Sequence, residues 1–434
     1  MHVKTIKISL LVITLLIFVG VLSNVESGMR MGKILDVFAG YDSTGLIDDR
    51  GNVFLFGNGS LMKHYTKNDF AGENPSKIVF SQNAVFVITT KGSLYRWGED
   101  PENHGILIAL DNTPIEKPKK VDSVFFNGET ISDLAASSHH VIAVVASGRA
   151  YGWGTNHHGE LGTVVGMTRS PVLIDTGILA IKSVYLSDAT TALIDTFGHL
   201  WMLGDNSKNQ LGKSSDQFPS SDTLKKVTAS NTEFQFATYI GLGNDFTVGV
   251  TNLGRMIAFG NPADGRLGVT STDEKILPTL VSDEMEYVYQ VSAFENGMIA
   301  LGSTGKMYSF GSNLFGALGK GYEKTQTWTP TQINHPMAVD VIKIATGSNH
   351  VVALTKNGTV LTWGSNESIQ LGVKGLTSFF ADPIPVFTHQ KSHFLTFFIS
   401  LIIFGIVIFN EIIFYYVYYE KERQIFKQES QLAK

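Results

Sequence analysis

Metal binding is the first chemistry the residue types suggest. His139-His140 and His157-His158 are adjacent pairs within one stretch of the chain. A zinc centre needs about four ligands on convergent vectors. Neighbouring histidines on a strand point to opposite faces, so neither pair offers two ligands to one ion. Cysteine is absent, which removes thiol nucleophiles, disulfides, cysteine-based zinc sites and iron–sulfur clusters. Hydrolytic chemistry fares no better. The chain has no nucleophile elbow, no HExxH helix and no positioned carboxylate pair. Asp48-Asp49, Asp216 and Asp222 read as solvated loop acids. No Gly-Lys-Ser/Thr follows a helix-starting turn, so the glycines do not form a phosphate loop. The expectation is a non-enzyme with no catalytic residue, no cofactor and no metal.

Glycine carries the organisation instead. The chain has 43 glycines in 434 residues, above the usual share. Pairs six positions apart recur seven times: Gly51/Gly57, Gly92/Gly98, Gly148/Gly154, Gly198/Gly204, Gly254/Gly260, Gly305/Gly311 and Gly358/Gly364. These structural repeat glycines read as turn and packing residues. The residue before the second glycine is Phe56, Trp97, Trp153, Leu203, Phe259, Phe310 or Trp363. Five copies end in a Leu-Gly element, from Leu161-Gly162 to Leu371-Gly372; Tyr65 and Ile106 stand there in the first two. Upstream apolar runs such as Val141–Val145 and Val351–Leu354 read as strands. Turns such as Lys356-Asn357-Gly358 supply the positive φ that a hairpin needs. The next strand, as in Val360–Gly364, alternates as if one face were buried. Four-stranded units of about 51 residues, repeated seven times, predict an all-β, seven-bladed β-propeller over 33–387.

The two ends differ from this middle. Ile8–Leu22 is uncharged, follows Lys4 and Lys7, and precedes the small residues Ser23 and Ser27-Gly28. Residues 1–27 therefore read as a signal peptide or signal anchor. Phe394–Tyr419 is apolar apart from Asn410 and Glu411, and long enough for a transmembrane helix. Tyr415, Tyr416, Tyr418 and Tyr419 suit the headgroup level, and Lys421, Arg423, Lys427 and Lys434 mark a short cytoplasmic tail over 420–434. The expected protein is single-pass, type I if the signal is cleaved, with a lumenal or extracellular propeller. Asn58, Asn357 and Asn366 head sequons that would then be N-glycosylation acceptors.

The register of three glycines with its Leu-Gly ending resembles the repeats of the regulator of chromosome condensation family. The last copy matches best: His350, Gly358, Trp363-Gly364, Asn366 and Gln370-Leu371-Gly372. His140, Gly148, Trp153-Gly154, Asn156 and Leu161-Gly162 make the third copy similar. The resemblance implies a structural role for His140 and His350; Ser43, Ala84, Thr190, Phe246 and Gly297 occupy that position elsewhere. It also brings the family's founding activity, guanine-nucleotide exchange on a small GTPase bound to chromatin. The net charge is −5; the two ends are net basic, so the middle carries −8, and an acidic body repels phosphate backbones, so no nucleic acid is expected. Light sensing, known among plant members through clustered tryptophans, finds no such cluster in Trp97, Trp153, Trp201, Trp328 and Trp363.

These readings converge on an integral-membrane propeller acting as a protein-binding module for an unknown partner. The alternative is a guanine-nucleotide exchange factor for a small GTPase, with the propeller facing the cytosol. Long insertions after the Leu-Gly elements would crowd one rim. Phe218, Tyr322 and Trp328 are their candidate partner anchors.

Overall fold

The computed structural model describes residues 31–108, 113–162, 166–177, 180–228, 237–282, 285–322, 325–374, 377–387 and 415–425. Among them, seven antiparallel four-stranded sheets follow one another, each contiguous in sequence. Blade 1 opens on Ile34–Gly40 and closes on Ser60–Tyr65; blade 7 runs from Val341–Thr346 to Phe379–Phe387. The first strands of all seven blades line a central channel of about 730 Å³. Its charges are paired across blades: Lys77 with Asp133 at 2.5 Å, and Lys343 with Asp36.

All fourteen repeat glycines have positive φ, but the two members of a pair do different jobs. Gly51, Gly92, Gly148, Gly198, Gly254, Gly305 and Gly358 lie between second and third strands, in the expected turns. The second members lie in strands, as the sequence places Gly364. Gly57, Gly98, Gly154, Gly204, Gly260, Gly311 and Gly364 stand at the ends of third strands. They pair in turn with Ser43, Ala84, His140, Thr190, Phe246, Gly297 and His350, the first residues of the second strands. The reason is close approach of two backbones. A Cβ there would meet the carbonyl oxygen just before the second strand, at 2.0 Å from Asp42 for Gly57 and 2.3 Å from Asn83 for Gly98. The same gap is 2.2 Å at Gly204, 2.6 Å at Gly260, 2.5 Å at Gly311 and 2.4 Å at Gly364. That oxygen is held in place by the N–H of the residue after the glycine, as in Asn58 to Asp42 and Ser365 to Asn349. A side chain would meet both this barrier and an unfavourable backbone region.

The expected one-sided alternation of the strand after the turn is corrected by the structure. Val360–Ser365 is buried at every position, as are His350–Thr355 and His140–Val145. Middle strands have a neighbouring blade on each face, so both faces are dry. Inner strands such as Ile131–Ala136 are buried only in part, at Ile131 and Leu134. Seven apolar clusters result among the described residues, one per blade interface. Trp153 and Trp363 are fully buried in two of them. Each such ring contributes roughly 3 kcal/mol of transfer free energy.

The ring closes without sharing a strand. Ile34, Val37, Leu46, Phe54 and Phe56 of blade 1 pack against Val352, Leu354 and Val360 of blade 7. His350 Nε2 lies 3.0 Å from Thr44 Oγ1 across the same seam. His140 makes the equivalent 3.2 Å contact with Thr191 of blade 4. The structural role expected of both histidines is thus an inter-blade stitch.

Turns between first and second strands share one face with the loops between third and fourth strands; this is the loop face. The other is the tail face. Lys33 enters there, beside Asp49, and the last strand ends there with Phe387 opposite Val360. A second unit, His389–Lys434, is described only over helix 415–425. No described helix is long and apolar enough to cross a membrane. The segments 1–27 and 394–414 lie outside the described residues.

Candidate interaction face

A polar side chain holds the loop-face insertion in every blade but the first. Two residues after the second repeat glycine, Asn156, Asn206, Asn313 and Asn366 each accept the backbone N–H of the leucine five positions on, at 2.9 to 3.2 Å. Blade 2, which lacks Leu-Gly, keeps the device in altered form. Asp100 accepts the N–H groups of His104, Gly105 and Ile106 at 2.9, 2.7 and 3.2 Å. Ile106 then takes the leucine's place, and its carbonyl accepts Trp153 Nε1–H at 2.8 Å. Trp363 Nε1–H makes the matching bond to Ala317 of blade 6 at 2.9 Å. Blade 5 has Pro262 at the anchoring position and uses a buried Arg266 bonded to Asp245 at 2.6 Å instead. Blade 1 has only the tight Asn58-Gly59 turn.

The frame is shared, and what it carries differs by sector. Between blades 6 and 7, Leu314, Phe315, Tyr322 and Phe379 line a cavity of about 400 Å³ with Asp264 and Gln326 at its edge. Leu314 is 56 % exposed and Tyr322 68 %. The Tyr322 and Phe379 rings meet edge-on at 5.4 Å, and Phe315 meets Phe379 at 6.4 Å. Phe315 has φ 59° and Ile369, in the next loop, φ 64°. Blade 5 places Asp264 at the first of these positions and blade 4 places Asn209 at the second. Asp and Asn tolerate left-handed backbone, whereas Phe and Ile are strained there by about 1 kcal/mol or more. Both strained residues are half-buried, next to the exposed Leu314 and Tyr322 in the case of Phe315.

Between blades 1 and 4 the face is polar. Tyr41, in the first turn of blade 1, lays its ring across the channel mouth. Its hydroxyl accepts Ser138 N–H at 2.6 Å and donates to the Asp188 carboxylate. Ser138 Oγ–H donates to the same Asp188 oxygen at 2.6 Å and lies 2.6 Å from His139 Nδ1. Burial works against the Asp188 charge, but hydrogen bonds from His139, Ser138 and Tyr41 outweigh it and hold the carboxyl well below its usual range. Burial, followed by the charge of Asp188, pushes the Tyr41 phenol up. Asp188 also raises His139. His104 and Glu102 flank this group from blade 2, with the His104 and His139 ring centres 4.6 Å apart and their planes tilted by 48°.

The anchors expected from sequence separate. Tyr322 lines the apolar cavity. Phe218, 39 % exposed, sits in blade 4 under Lys225 Nζ at 5.3 Å, outside that cavity. Trp328 is not in a loop: it belongs to the outer strand Gln326–Gln332, half-buried, with its Cα packed against Gly265 of blade 5. Asn58 and Asn357 are exposed turn residues. Asn366 is buried, and its carboxamide holds Leu371 N–H and the Val373 carbonyl. An oligosaccharide acceptor must be accessible, so Asn366 is corrected to a loop anchor. Asp48 is also corrected: far from solvated, it is buried and accepts Gly32, Arg50 and Asn52 N–H. His157 and His158 are exposed and their backbone N–H groups bond Glu160. Sequence reasoning missed Tyr41, Ser138, Asp188, His104, Leu314, Phe315 and Phe379. Their only signal was departure from the repeat, since all but Phe379, the first residue of an outer strand, occupy loops the repeat leaves free.

The sequence pattern described as the regulator of chromosome condensation (RCC1) repeat matches residues 131–160, 304–354 and 341–370. The human X-linked retinitis pigmentosa GTPase regulator is 29% identical over 83% of this chain and 34% of its own length. The human regulator of chromosome condensation is 25% identical over 66% of this chain and 70% of its own. The ultraviolet-B receptor UVR8 of Arabidopsis thaliana is 27% identical over 57% of this chain, which spans 56% of that receptor's length. Among solved structures, Prp20p of Saccharomyces cerevisiae superposes with a TM-score of 0.67 at 17% identity, over 83% of this chain and 92% of that one. The chain thus carries repeats of the regulator of chromosome condensation type, and its ring has the same fold as Prp20p.

Proposed function

We propose that this protein is a membrane-tethered interaction module that presents its loop face to another protein. The observation that carries the reading is the apolar rim of a 400 Å³ cavity, where Leu314 and Tyr322 are exposed and the half-buried Phe315 holds a left-handed backbone. Aromatic anchors of this kind dominate protein interfaces. Both ends of the propeller chain lie on the tail face. The proposed tether is made from the apolar segments 8–22 and 394–419. The proposed location of the propeller is lumenal or extracellular, with Asn58 and Asn357 open to glycosylation.

A photo-crosslinking residue at position 322, compared with one at Phe197 on the tail face, tests the assignment in the full chain. A discrete protein adduct is expected from 322 and not from 197. Equal adducts from both, or none from 322, would sink it.

A second reading draws on the relatives. One solved neighbour's title reports binding properties to Gsp1p and histones, and one relative is named a GTPase regulator. On this reading the propeller faces the cytosol and exchanges nucleotide on a small GTPase. Protease treatment of sealed microsomes separates the two: a protected propeller supports the lumenal reading, and a digested one supports exchange.

A further inference from the structure

We infer that Glu102, His104 and His139 form a binding site for a single divalent transition-metal ion of the zinc class. The three side chains come from two blades. Glu102 and His104 lie in the blade 2 loop, and His139 in the first turn of blade 3. One ligand atom from each lies within 4.8 Å of the other two. His104 Nε2 and Glu102 Oε2 are already 3.3 Å apart. Ligands at about 2.1 Å around a tetrahedral zinc stand about 3.4 Å from one another. Closing the remaining gap takes about 1 Å, which the mostly exposed Glu102 and half-buried His139 can supply.

The surroundings of the imidazoles point the same way. His104 Nδ1 lies 3.2 Å from the Ser138 carbonyl oxygen. That contact places its proton on Nδ1 and leaves the Nε2 lone pair beside Glu102. His139 Nδ1 donates to Ser138 Oγ, whose own hydrogen goes to Asp188. His139 is thereby left with a free Nε2 as well. Metal-binding histidines characteristically donate their other N–H to a carbonyl or carboxylate partner in this way. Asp100 fixes the backbone of His104, and Tyr41 fixes Asp188, so both rings are oriented before any ion arrives. Two imidazoles and a carboxylate suit zinc rather than magnesium or calcium, and leave a coordination position open.

The test uses the full chain in mild detergent, stripped with chelator and titrated with zinc chloride by calorimetry. One ion per chain is expected, with a Kd of order 10 μM and heat that falls as pH drops and protons compete. His104→Ala and His139→Ala should each weaken binding more than tenfold. Glu102→Gln, at an exposed side chain that cannot disturb the fold, should weaken it severalfold. Ser138→Ala should weaken it about tenfold by freeing the His139 ring. Cobalt should give a visible d–d spectrum that disappears in the histidine variants. Absence of zinc binding, or binding unchanged in His104→Ala, His139→Ala and Glu102→Gln alike, overturns the assignment.

Discussion

The loops of blades 2 and 6 are built on one frame and hold opposite chemistry. Each is tied down by a buried polar residue two positions after a repeat glycine, Gly98 or Gly311, and each receives a tryptophan N–H from the next blade. Blade 6 then presents Leu314, Phe315 and Tyr322, whereas blade 2 presents Glu102 and His104. The repeat therefore specifies how a loop is held and leaves open what it offers. Binding surfaces in this family fold are grafted onto positions that blade packing does not constrain.

The largest expected effect comes from cutting the frame. Asp100 accepts three backbone N–H groups, whereas the neutral Asn313 carboxamide holds Leu318 N–H and the Gly321 carbonyl. Charged acceptors of buried donors are worth more, so Asp100→Ala should cost about 3 kcal/mol and Asn313→Ala about 1 kcal/mol in denaturant unfolding. Equal losses would show that the two loops are not held alike in kind and unlike in strength.

Acid should weaken both sectors through their stitches. Burial pushes His140 down to about 3 and His350 down to about 4. The unfolded chain takes up these protons near pH 6.5, while the folded chain resists them. Stability is therefore fully present above about pH 6.5 and falls as pH drops toward the folded values, by about 1.4 kcal/mol per unit for each histidine. Thermal melts between pH 7 and 5 should show this slope, and His350→Gln should flatten it by about half. An unchanged slope in that variant would mean that the seam histidine does not titrate as buried.

The smallest effect should fall equally on the two sectors. Trp153→Phe and Trp363→Phe each leave a loop carbonyl, of Ile106 or Ala317, without its donor. Each should lose about 1 kcal/mol beyond the change in ring size. A clear difference between them would mean that blade 2 keeps the geometry of the frame without its energy.

Much of the fold was legible because a repeat glycine cannot be replaced. Gly358 in its turn and Gly364 at its strand end sit in backbone regions closed to other residues, so their spacing survives in the sequence. What spacing could not show is that the two differ: a turn and a backbone crossing both demand glycine. The sequence places Gly57, Gly98, Gly204, Gly260 and Gly311 at the end of the strand after the turn, but not against the carbonyl that requires them to be glycine. The blade 2 loop was not legible, because Asp100 and Ile106 do by charge and shape what Asn and Leu do elsewhere. Trp328 was misplaced because an aromatic in a polar stretch reads the same in a loop and on an outer strand. Asp48 and Asn366 were misread for a related reason: a polar residue bonded to its own backbone looks like one bonded to water.

By itself the sequence determined the repeat, the number of blades and the apolar character of both ends. These are local properties: a backbone conformation, a strand period and a run of hydrophobic residues each act within a few positions. Tertiary structure alone decided that blade 1 meets blade 7 by side-chain packing, and that Tyr41 reaches Ser138 and Asp188 across the channel mouth. It also decided that the ring of His104 meets that of His139 and that Tyr322 meets Phe379. These partners come from different loops and different blades, and only closure of the ring brings them together.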